Sequence, residues 1–132
     1  MKSVGPIGPI PDHILRLMTK EDRPRGVLTF AEIEEKRQVR LEKELQEQVA
    51  SLLRQRNIVF NCSRMDRRKT DKVGWPDFTF AVAGRACAVE CKMPGENLRP
   101  EQSVVINAMM GNGWLVAVVT DLSGLLDFLK TL

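Results

Sequence analysis

The chain has 132 residues, of which 43% are hydrophobic and 28% charged, enough apolar content for one core and too much for wholesale disorder. A formal charge of +3 does not by itself mark a nucleic-acid binder, and no apolar run nears the ~20 residues of a membrane span or resembles a leader. Cys62, Cys87 and Cys91 are odd in number and lack CxxC spacing. Cys87 and Cys91 lie about 13 Å apart on an extended strand, too far to share an ion, so they read as small hydrophobes of a reduced, cytoplasmic protein.

Gly5, Pro6, Gly8, Pro9 and Pro11 predict an irregular arm over residues 1–28, with Asp12 capping a short turn through Ile14 and Leu15. His13, the only histidine, is expected at the surface. From residue 29 onward a single domain is expected, to residue 132. Thr29 and Glu32 form a capping-box pair, so a helix should run from about Phe30 to Arg56. Its second half carries Leu41, Leu45, Val49 and Leu52 or Leu53 at helical spacing, a stripe that must face a core. Glu42, Glu44 and Glu47 lie around that stripe, and one on its border would reach toward the sheet.

After Asn57 a first strand is expected over Ile58–Ser63. Between Arg64 and Lys72, five cations (Arg64, Arg67, Arg68, Lys69, Lys72) outnumber two anions (Asp66, Asp71), a local excess of +3 in nine residues. Phe78, Phe80 and Val82 then alternate with Asp77, Thr79 and Ala81, and a turn at Gly84–Arg85 leads into a second strand ending at Glu90-Cys91-Lys92. Alternation sends Glu90 and Lys92 to one face and Cys91 to the other. With Asp77 on the same face, two carboxylates and an ammonium converge, an arrangement that suits a hard divalent cation held by the carboxylates. Pro100 opens another helix, which stops at Gly111-Asn112-Gly113. Trp114–Thr120 is a strand covered on both faces, and Asp121 or Ser123 caps a final helix.

Pro76-Asp77, twelve intervening residues and Glu90-Cys91-Lys92 resemble the PD-(D/E)xK signature of the restriction-endonuclease-like nucleases. The finer wording is similar to the virus-type replication-repair nuclease (VRR-NUC) branch: Gly74-Trp75-Pro76-Asp77, Glu90-Cys91-Lys92-Met93-Pro94-Gly95, Pro100-Glu101-Gln102 and Gly113-Trp114-Leu115-Val116. The likeness covers about Arg40 to Leu132. It implies an α/β fold with a restriction-endonuclease-like α-β-β-β-α-β-α core, a mixed sheet flanked by helices. It also implies a DNA endonuclease using Mg²⁺ or Mn²⁺, held by Asp77, Glu90 and the backbone carbonyl of Cys91. Lys92 would serve the attacking water or the phosphate, Gln102 a ligated water or the phosphate, and Glu42 would be the first-helix glutamate at the metal, with Glu44 and Glu47 as alternatives. Arg64, Arg67, Arg68, Lys69 and Lys72 would track a nucleic-acid backbone, aided by Lys92 and Arg99, while Trp75 would pack in preference to stacking on a base. Members of this length resemble homodimeric Holliday-junction resolvases acting on branched DNA. Two other readings compete: a non-catalytic nucleic-acid-binding or assembly module on the same fold, and a structural ion pair in which Lys92 bridges Asp77 and Glu90.

Overall fold

A computed structural model of the chain describes residues 10–19, 21–63 and 73–132. The basic positions Arg64, Arg67, Arg68, Lys69 and Lys72 lie outside the described residues, as do residues 1–9. Packing divides the chain into two units, Met1–Val39 and Arg40–Leu132, with the boundary inside the long helix α2 (Phe30–Gln55). No described helix is long and apolar enough to cross a membrane.

In the first unit, Thr29 and Glu32 cap α2 reciprocally: Glu32 N–H donates to Thr29 Oγ1 at 3.2 Å, and Thr29 N–H donates to Glu32 Oε2 at 3.1 Å. Asp12 does not cap its own helix, α1 (Asp12–Leu15), whose N-cap is Pro11. Its Oδ1 instead accepts from Phe30 N–H at 2.7 Å, so a residue 18 positions away satisfies one more orphan amide of α2. Pro11 already leads α1 in with extended backbone, which frees the carboxylate for that partner.

The second unit is mixed α/β. Strands β1 (Phe60–Cys62), β2 (Phe78–Val82), β3 (Arg85–Cys91) and β4 (Leu115–Val119) form one sheet in that spatial order. The first two pairings are antiparallel and β3–β4 is parallel, joined through helix α3 (Pro100–Gly111). Helix α4 (Leu122–Lys130) closes the chain. Side chains that alternate along the strands sort the two faces. Phe78, Phe80, Cys87, Val89 and Cys91 pack with Leu45, Val49 and Leu53 of α2 and with Leu125 and Leu129 of α4. On the other face Ala88 packs with Val105 and Met109 of α3, beside Trp75, Trp114 and Val116.

Local signals set most boundaries. At the end of α2, Asn57 takes a left-handed φ of 56° and Ile58 N–H reaches back to Leu53 O at 2.9 Å, a Schellman-type stop. Asp121, rather than Ser123, caps α4, its Oδ1 accepting from Gly124 N–H at 2.8 Å. The hairpin turn sits one residue earlier than expected: Val82 pairs with Arg85, and Ala83 and Gly84 occupy the turn with φ of 53° and 76°. Two consecutive positive φ values are what a two-residue hairpin needs to match strand twist, and they place an alanine where glycine or asparagine is usual.

Candidate metal centre

The hairpin register positions the two central carboxylates. Phe78 is opposite Val89, so one step further the same antiparallel register brings Asp77 opposite Glu90, both on the α3 side of the sheet. Asp77 is fixed by its surroundings twice: its carbonyl accepts from Ser63 N–H at 2.7 Å, and its Oδ2 accepts from the buried Cys91 N–H at 2.9 Å. Glu90 is only 2% exposed, and its Oε2 is buried without a hydrogen-bond partner among the described residues. A buried carboxylate oxygen left bare is costly unless something binds it.

Helix α2 supplies a third carboxylate. Glu42 follows Leu41, which leans on the core, and precedes the buried Leu45 by three residues, so it stands on the border of the apolar stripe. One oxygen from each of Glu42, Asp77 and Glu90 lies within 4.8 Å of the other two. A cation with oxygen ligands at about 2.1–2.4 Å holds them about 3.0–4.8 Å apart, so the three are within the span of one ion. Glu44 and Glu47 are exposed, and the cluster takes Glu42.

The electrostatics report crowded negative charge. Burial, followed by the side-chain proximity and then the charge of Asp77, pushes Glu90 up to about 9; the Lys92 ammonium pulls it down less than these raise it. Glu42 is also raised, first by burial and then by Glu96 and Asp77. Without a counter-ion the site therefore holds a proton that a divalent cation would displace.

Lys92 is 4% exposed, and its backbone N–H donates to Val119 O at 2.9 Å. Among the described residues it makes no ion pair; those present join Arg16 to Asp12, Arg23 to Glu32 and Arg37 to Glu34. The reading of Lys92 as a bridge between Asp77 and Glu90 therefore has no ion pair to support it. Cys91 turns its side chain into the core, where burial and the nearby carboxylates raise its thiol strongly, leaving only its backbone for the site. Cys87 and Cys91 are free, buried thiols.

Gln102 is committed differently from the expectation drawn from the resemblance. Its Oε1 accepts from Arg99 N–H at 2.9 Å and so caps α3, leaving its amide as the donor available for other work. One residue gains a role that its spacing did not disclose, and Trp75 packs as expected. Gly74, at φ +86°, lies so close to the first turn of α3 that a Cβ there would collide with the Glu101 carbonyl. Trp75 packs edge-to-face on Trp114, ring centres 6.3 Å apart. The Gly-Trp-Pro-Asp stretch thus ties Asp77 to the start of α3.

Compared with protein-family models, curated proteins and solved structures, the chain matches none of them.

Proposed function

We propose that the chain is a cytoplasmic, metal-dependent DNA endonuclease with a restriction-endonuclease-like core of the VRR-NUC type, acting as a homodimer on structured or branched DNA. The observation that carries the reading is the bare, buried Oε2 of Glu90 inside a set of three carboxylates from α2, β3 and the approach to β2. All-oxygen donors of this kind suit Mg²⁺ or Mn²⁺ rather than a softer ion. Glu42, Asp77, Glu90 and the carbonyl of Cys91 would hold the ion. Bound there, a divalent cation supplies a water of lowered pKa and neutralises charge on a phosphate.

The rest of the work falls to the chain. Asp77, held by the Cys91 amide, and Glu90, held by burial, give a rigid floor that needs little reorganisation. Lys92 brings a positive charge that is held in no ion pair among the described residues, suited to steadying a phosphate oxygen or orienting the attacking water. A module that only binds DNA gains nothing from three carboxylates facing phosphates, which is why the non-catalytic alternative is less well supported.

The test is cleavage of labelled four-way junction, flap and linear duplex with Mg²⁺, Mn²⁺ or EDTA, using the wild type and Asp77→Ala. Paired symmetric nicks on the junction, absent in EDTA and in Asp77→Ala, are the expected result. Cutting of flaps or ends alone would discard the resolvase specificity and keep the nuclease. Metal-independent DNA binding without cleavage of any substrate would overturn the reading in favour of the binding module.

A further inference from the structure

The loop that follows Lys92 contains a device outside the carboxylate cluster. Met93-Pro94-Gly95-Glu96 forms a β-turn in which Pro94 presets its own φ and Gly95 takes a φ of +85°, closed by Glu96 N–H donating to Met93 O at 3.0 Å. The Glu96 side chain then folds back over the turn, its Oε1 accepting from Met93 N–H at 2.8 Å. Met93 is buried at 6% exposure, its side chain in the core between the sheet and α2. Its amide would lose its partner if Glu96 were shortened, a loss that a buried backbone group tolerates poorly.

Two successive amides are therefore clamped from different directions. Lys92 N–H is held by Val119 of β4, and Met93 N–H by Glu96. The Lys92 side chain leaves the backbone between these clamps, at the point where β3 has just ended. A glutamate placed in a turn only for solubility would extend into water; this one is spent on the backbone next to Lys92, whose charge acts on Glu90 and Glu42.

We propose that Glu96 is a positioning residue: its carboxylate holds the Lys92–Met93 backbone and so keeps the Lys92 ammonium aligned with Glu42, Asp77 and Glu90, an inference that rests on the nuclease reading. Glu96→Gln keeps an oxygen acceptor for Met93 and removes the charge, whereas Glu96→Ala removes both. In the full-length chain, Glu96→Ala lowers kcat about 10- to 100-fold while KM for DNA and the Kd for Mn²⁺ stay within about threefold. Glu96→Gln restores kcat to within about threefold of the wild type. Amide hydrogen exchange at Met93, followed by NMR, accelerates about tenfold or more in Glu96→Ala and is unmoved in Glu96→Gln.

Equal losses in the two variants would overturn the proposal by showing that the charge, not the hydrogen bond, matters. Unchanged kcat in Glu96→Ala would overturn it outright. If the wild type itself cleaves nothing, the nuclease reading falls separately, and Met93 exchange still decides the clamp: equal exchange in wild type and Glu96→Ala would overturn it.

Discussion

Replacing Glu90 with glutamine removes a titration that the metal-free fold resists. An unfolded glutamate gives up its proton near 4.5, whereas in the folded chain burial and Asp77 hold it to about 9. Between those limits the folded state binds more protons than the unfolded state, so stability falls as pH rises. One proton is worth about 1.4 kcal/mol per pH unit, so between about pH 6 and about pH 8 the metal-free wild type should lose about 3 kcal/mol through this group. That is a large share of the 5–15 kcal/mol typical of a folded domain, roughly speaking. Glu42, raised by burial and its acidic neighbours, adds to the same trend in both proteins. Urea unfolding in EDTA across this range should give Glu90→Gln a slope shallower than the wild type by about 1.4 kcal/mol per pH unit. Added Mg²⁺ should flatten the wild-type curve, because ligation requires the ionised carboxylate, and leave Glu90→Gln where it was. Parallel curves for the two proteins in EDTA would refute the reasoning.

Three further substitutions test the scaffold and the ligand set. Gly74→Ala combines a left-handed φ with a collision against the Glu101 backbone, and should cost about 3 kcal/mol in urea unfolding. Ala83→Asn relieves the alanine of the hairpin turn and should stabilise by about 0.5–1 kcal/mol, seen as a higher urea midpoint at unchanged slope. Glu42→Gln should weaken Mn²⁺ binding about tenfold by calorimetry, while Glu44→Gln and Glu47→Gln, both at exposed positions, leave it unaltered.

How much of this was legible in the sequence depends on how local each cause is. The two-residue period of Phe78 and Phe80 and the helical period of Leu45, Val49 and Leu53 are local, and both faces of the sheet follow from them. The facing of Asp77 and Glu90 followed from the same alternation once the hairpin was recognised. Among the three candidate glutamates the resemblance favoured Glu42 and left Glu44 and Glu47 open; the phase of α2 against the sheet, a packing property, brings Glu42 to the other two carboxylates. The turn was displaced by one residue because alanine carries no signal for a positive φ; pairing across β2 and β3 imposes it. Asp12 reaches Phe30 and Gly74 presses on α3 through contacts distant in sequence, which no short window of residues announces. Gln102 was read by its motif for the site, while the helix start beside it claims its carbonyl for the cap.

The most direct test of the central claim is anomalous diffraction from crystals grown with Mn²⁺. The account expects a peak with oxygens of Glu42, Asp77 and Glu90 and the Cys91 carbonyl at about 2.1–2.4 Å, with Glu90 Oε2 no longer bare. Crystals saturated with Mn²⁺ that show no peak among these carboxylates would contradict it.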